Sequence, residues 1–182
     1  MVSHYQNNSG YVIILINKKM LKEQNFEDLS QGTKAQMSGK IFENIVCEQL
    51  EKLGYEKVSN KKFESLRKEE KPIYCRQYKI EENGIYGKPM KCDIVIYHPI
   101  KHSDNLMIEC KYQKTKGSVD EKIPYLIENI KLKYPFGTIL LIDGDGYRPG
   151  MLSEYLPNKL GGNFLEFYNL ENFKGMCNEG WM

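Results

Sequence analysis

The chain has 182 residues and a formal net charge of +2, too little excess base for a protein held to nucleic acid by bulk charge alone. Hydrophobic residues at 41% and charged residues at 27% are globular values, and the length is enough to bury a core in one domain without metal or disulfide staples. Five widely spaced cysteines (Cys47, Cys75, Cys92, Cys110, Cys177), with no Cys-x-x-Cys pair and no secretory leader, are expected to be reduced thiols in a cytoplasmic protein, and no apolar run is long enough to span a bilayer.

Residues 1–10 are polar. The apolar run Tyr11 to Ile16 reads as an edge strand or a short buried helix, which periodicity does not separate at that length. From Ala35 to Leu53 the pattern is helical: Ile41, Phe42, Ile45, Val46, Leu50 and Leu53 recur at three- and four-residue steps, and Gly54 stands where a C-terminal cap belongs. Glu43 sits at the margin of that stripe, either as an ordinary boundary glutamate or as an acid that reaches over a sheet. Tyr55 to Ser59 and Pro72 to Ile80 read as strands. Between them lies a charged stretch, Lys61 to Lys71, that reads as a solvated face in preference to a basic cluster that neutralises phosphates, and Asn83-Gly84 marks a turn.

The most informative stretch is Lys91 to Gln113, two strands joined by a polar turn. Asp93 opens the run Ile94, Val95, Ile96, Tyr97, which implies a sheet covered on both faces. In the second strand Met107, Glu109, Lys111 and Gln113 share one face and Leu106, Ile108, Cys110 and Tyr112 the other. Glu109 and Lys111 on one face, with Asp93 on the neighbouring strand, suit phosphodiester hydrolysis: oxygen ligands hold a hard divalent cation and the lysine orients a water. A solvated face carrying a cross-strand ion pair has the same pattern. His98 and His102 are four apart, but Pro99 forbids the helix that would bring them together on zinc.

Ser118 to Glu121 has capping-box spacing, and Ile123, Leu126, Ile127 and Ile130 predict a helix over about 120–132 that starts late or bends at Pro124. Phe136 to Ile142 reads as a buried strand and Asp143-Gly144-Asp145-Gly146 as a turn rather than a metal pair. A strand, helix and strand in succession imply a right-handed crossover, with this helix on one face of the sheet and the first helix on the other. Met151 to Leu156 is expected to be a short helix, Phe164 to Tyr168 a strand and Asn169 to Gly175 a closing helical turn. No linker or repeat divides residues 1–182, so a single domain is expected.

A helix with Glu43, then strands, Asp93, Glu109-Cys110-Lys111 sixteen residues on, and a crossover helix and strand together resemble the PD-(D/E)XK nuclease superfamily. The continuation Glu109 to Gln113, with Gly117-Ser118 and Glu121-Lys122, resembles small type II restriction endonucleases. The likeness covers roughly residues 36–143, leaving 1–30 and 150–182 as peripheral elements, and departs where Cys92 replaces the name-giving proline. It implies an α/β fold, a restriction-endonuclease-like α/β/α sandwich with a central mixed β-sheet flanked by helices. It further implies a magnesium-dependent endonuclease, with manganese able to substitute, that cuts double-stranded DNA to leave a 5′-phosphate and a 3′-hydroxyl. Asp93, Glu109 and the Cys110 main-chain carbonyl would ligate the metal, Lys111 would position the attacking water, Glu43 would support a second metal or a water, and Gln113 would hydrogen-bond nearby. Lys114, Lys116, Ser118 and Lys122 would contact phosphates. A homodimer and a cognate DNA methyltransferase are the implied partners. The competing readings are a junction-resolving or repair nuclease, and a non-catalytic nucleic-acid-binding domain on the same fold.

Overall fold

The computed structural model describes residues 31–117 and 119–182; the expected element at Tyr11 to Ile16, the N-terminal peripheral segment 1–30 and Ser118 lie outside them. The apolar stripe that begins at Ile41 forms the buried side of helix α1 (Gln31–Lys52), which ends where Gly54 takes φ +89 and donates its amide to the Glu51 carbonyl. Strand β1 (Glu56–Lys57) follows, and then helix α2 (Asn60–Leu66), inside the stretch that the sequence presents as a solvated charged face. Phe63 is the one buried residue of α2, with Leu66 partly buried against the same core, too little apolar signal for periodicity to register.

Strands β2 (Ile73–Ile80), β3 (Met90–His98) and β4 (His102–Tyr112) form an antiparallel meander. Helix α3 (Val119–Lys133) then crosses to β5 (Thr138–Asp143), which lies parallel to β4. Pro124 lies inside α3, near the N-terminal end, where few carbonyls precede it. A short π-helical turn (Met151–Tyr155) and a 3₁₀ turn (Pro157–Lys159) lead to β6 (Phe164–Tyr168), parallel to β5, and to helix α4 (Leu170–Asn178), capped by the Asn169 side chain. The six strands run in the order β1-β2-β3-β4-β5-β6, a mixed sheet with helices on both faces.

Alternation along the strands divides the core in two. Phe42, Val46 and Leu50 of α1 and Phe173 and Cys177 of α4 pack on Ile94, Ile96, Leu106, Ile108, Cys110, Ile139 and Leu141. Ile123, Ile127 and Ile130 of α3 and Phe63 of α2 pack on the opposite face, against Cys75, Val95, Met107, Leu140 and Ile142. Burying both faces is what permits near-continuous apolar runs such as Ile94 to Ile96 and Ile139 to Ile142. All five cysteines are free and buried. Among the described residues no helix is long and apolar enough to cross a membrane.

The sheet is not continuous at its centre. Strands β3 and β4 pair from the hairpin turn only as far as Ile94 opposite Ile108. Beyond that point β3 stays with β2 through Met90, while β4 stays with β5 through Tyr112. The two halves fork, and Asp93 and Glu109 are the first residues on either side of the split.

Candidate active site

The fork exposes backbone groups that a continuous ladder would have used. The Cys110 amide, on the β3 side of β4, donates to Asp93 Oδ2 at 2.9 Å in place of a β3 carbonyl. The Cys110 carbonyl opens into the same notch, where Lys111 Nζ approaches it at 3.2 Å. That ammonium also donates to Glu109 Oε2 at 2.7 Å and to Asp93 Oδ2 at 3.0 Å. Three oxygens on two strands therefore converge on one cationic point: two carboxylates and the peptide carbonyl between the acid and the lysine. The Cys110 side chain points away, into the core beneath α1.

A family model described as the PD-(D/E)XK nuclease superfamily domain matches residues 34–181. The chain belongs to this superfamily. No curated protein and no solved structure matches it. The matched span of the nuclease domain takes in β6 and α4 as well as the meander, α3 and β5.

Burial makes the electrostatics of this notch strong. Glu109 is 2% exposed, and burial pushes its carboxyl up to about 7, with the Lys111 ammonium opposing and the Asp93 charge adding to the rise. Burial acts on Asp93 in the same sense, but the Lys111 charge and the Cys110 amide outweigh it and hold Asp93 below its ordinary value. Lys111 would lose its proton more easily for being buried; the two carboxylates reverse that and raise it above the ordinary lysine value. In the metal-free chain the two carboxylates thus favour the charged form of Lys111.

The donor set suits a hard divalent cation, which takes oxygen ligands and tolerates a main-chain carbonyl among them. Among the described residues no three His, Cys, Asp or Glu side chains are grouped so that they could hold a metal, and the oxygens gathered in the notch are two carboxylates and a peptide carbonyl. Lys111 Nζ, in contact with all three oxygens, marks where positive charge is wanted.

Glu43 comes over the sheet from α1, but to the margin of the notch. Its Oε2 accepts from Arg76 Nη2 at 2.9 Å, while Arg76 Nη1 donates to Asn44 Oδ1 at 2.7 Å. Burial raises the Glu43 carboxyl, and the Asp93 charge adds to that, so the two acids lie close enough to repel. Gln113, just past β4, donates its amide to the Gly146 carbonyl at 2.7 Å, so this contact braces the turn after β5. Lys114 and Lys116 are exposed on the loop between β4 and α3, and Lys122 is exposed on α3. Asp143 is occupied as a turn residue: Oδ1 accepts from the Gly144 amide and Oδ2 from the Leu170 amide. His98 and His102 stand opposite each other on β3 and β4, with His98 Nδ1 accepting from the Ile100 and Lys101 amides.

Three further residues shape the site. Tyr134 donates to Glu109 Oε1 at 2.7 Å from behind, Arg76 holds Glu43, and Tyr147 donates to the Lys111 carbonyl at 3.0 Å. Tyr134 extends the stripe Ile123, Ile127, Ile130 by one more helical step, and a tyrosine on a buried stripe needs a partner for its hydroxyl. Arg76, a lone cation following Ile73, Tyr74 and Cys75, carries the same kind of signal. Tyr147 lies in a turn and offers none.

Proposed function

We propose that this nuclease is a divalent-metal-dependent endonuclease of the type II restriction kind, cutting both strands of double-stranded DNA as a homodimer. The observation that carries the reading is the convergence of Asp93, Glu109 and the Cys110 carbonyl on the Lys111 ammonium at the fork of the sheet. Asp93, Glu109 and the Cys110 carbonyl would hold magnesium, or manganese in its place. The bound cation supplies charge neutralisation at the scissile phosphate and lowers the cost of ionising a water. Lys111, drawn to these oxygens in the metal-free chain, would orient the attacking water and offset the negative charge that builds on phosphorus. Tyr134 fixes the Glu109 rotamer from the closed side of the notch. Glu43, held by Arg76, would orient a water at the margin, and the exposed Lys114, Lys116 and Lys122 would meet the DNA backbone. Water attacks phosphorus in line and the bond to the 3′ oxygen breaks, which leaves a 5′-phosphate and a protonated 3′-hydroxyl.

Incubation of the purified chain with unmethylated plasmid and Mg²⁺ or Mn²⁺ tests this. Discrete fragments that vanish with EDTA and with Asp93→Asn support it. Cutting confined to branched or damaged DNA would make the substrate a junction or a lesion, and DNA binding without any metal-dependent cleavage would leave a non-catalytic binding domain. Sedimentation on DNA decides the dimer, and protection of the plasmid by a methyltransferase encoded nearby decides the restriction partner.

A further inference from the structure

Strands β2 and β3 reverse their faces together at one step. Tyr74 opposite Ile96 belongs to the core beneath α1, and Arg76, opposite Ile94, reaches Glu43 and Asn44 of that helix. Cys75 opposite Val95 belongs to the core beneath α3. Strict alternation would return Tyr78 and Cys92 to the α1 side, two residues on from Arg76 and Ile94. Instead Tyr78, Ile80, Met90 and Cys92 all join the α3 core. The register does not slip, since Arg76 pairs with Ile94 and Tyr78 with Cys92. The reversal is therefore a rotation of the hairpin about the step holding Gln77 and Asp93, the step at which β3 leaves β4.

Gln77 makes that rotation with φ +52, the left-handed region that a non-glycine residue enters only at a cost. The backbone is pinned there from α2: Asn60 Nδ2 donates to the Arg76 and Gln77 carbonyls at 3.1 Å each, and its Oδ1 accepts from the Lys79 amide at 3.2 Å. With the backbone so held, the exposed Gln77 side chain turns to Asp93 and donates from Nε2 to Oδ1 over 3.4 Å. Oδ2 of the same carboxylate is taken by the Cys110 amide and Lys111. The two oxygens are thus held from opposite sides, one by the fork and one by the strained residue across the hairpin.

We infer that Gln77 is a positioning residue of this nuclease site, a left-handed strand residue whose amide orients Asp93 for a divalent cation. The inference rests on the reading that Asp93 is a metal ligand. Such an outer partner acts through the ligand: it fixes the carboxylate rotamer, so less freedom is lost when the cation binds. A contact of 3.4 Å is long for an amide on a carboxylate, which keeps the expected effect modest.

Two variants separate the amide from the backbone. Gln77→Met keeps the chain length and the strained φ but removes the donor; Gln77→Gly removes the donor and relieves the strain. Mn²⁺ binding to the full chain, without DNA, is followed by electron paramagnetic resonance, and thermal melting is followed without metal. Both variants are expected to bind Mn²⁺ about three- to tenfold more weakly than wild type, while the Gly variant alone melts higher. Wild-type Mn²⁺ affinity in the Met variant overturns the inference, because a purely structural role for the kink predicts that outcome. Asp93→Asn is the reference: if it weakens Mn²⁺ binding and Gln77→Met does not, the role of Gln77 fails and the metal reading survives. If Asp93→Asn has no effect, both fail.

Discussion

Glu109→Gln removes the most deeply buried carboxyl of the site while nearly preserving its shape and its ability to accept from Tyr134. In the folded, metal-free protein burial raises the Glu109 carboxyl from 4.5 to about 7; in the unfolded chain it returns to the ordinary value. Below pH 4.5 both states carry the proton and Glu109 contributes its full stability. Between 4.5 and 7 the unfolded state ionises first, so stability falls as pH rises, and above 7 the loss is complete. A shift of that size corresponds to about 3 kcal/mol at 1.36 kcal/mol per unit. Because Glu109 is 2% exposed, solvent does not screen this away. Urea denaturation in EDTA at intervals from pH 4 to pH 8.5, on wild type and Glu109→Gln, reads the difference directly. Wild type should lose about 3 kcal/mol relative to the variant over that window. A difference that stays flat, or that moves in favour of wild type with rising pH, would mean that Lys111 keeps Glu109 ionised and that burial is not the dominant effect on this carboxyl.

Lys111→Ala and Asp93→Asn should each lower cleavage by about 10²- to 10⁴-fold while gel-shift binding of DNA persists; unchanged cutting by either removes that residue from the chemistry. Tyr134→Phe leaves Glu109 Oε1 without its buried donor and should cost about 1–3 kcal/mol in denaturant unfolding. Gly144 has φ +101, and a methyl group added there would collide with the Gln113 carbonyl oxygen. Gly144→Ala should therefore lose about 1–3 kcal/mol from backbone strain alone, read as a fall in melting temperature.

The parts of the fold that were legible in the sequence are those where one period runs long enough to be counted. The α1 stripe, the α3 stripe, β5 and the two acid-bearing strands all meet that condition, and so the pairing of Asp93 with Glu109 and Lys111 follows from alternation plus one turn. Helix α2 has a single buried residue, and Gln77 carries no mark of its left-handed backbone, since glutamine is an ordinary strand surface residue. The fork is a third kind of feature. It depends on where two strands stop pairing, at the step where the hairpin rotates, and not on composition within either strand. Tyr134 and Arg76 stand between these cases: each had a polar group on a buried element and so required a partner, but only the folded chain says which one.

Residue 110 belongs to two neighbourhoods at once. Its amide and carbonyl serve the notch, while its thiol lies 7% exposed among Phe42, Val46 and Ile108 on the far side of the sheet. The letter between the acid and the lysine is accordingly set by the packing beneath α1. A Cys110→Ala or Cys110→Val chain should keep its reactivity towards phosphodiesters and differ only in how firmly the first helix is seated, whereas a proline at 110 would delete the amide that restrains Asp93 and disarm the site without touching a single charged group.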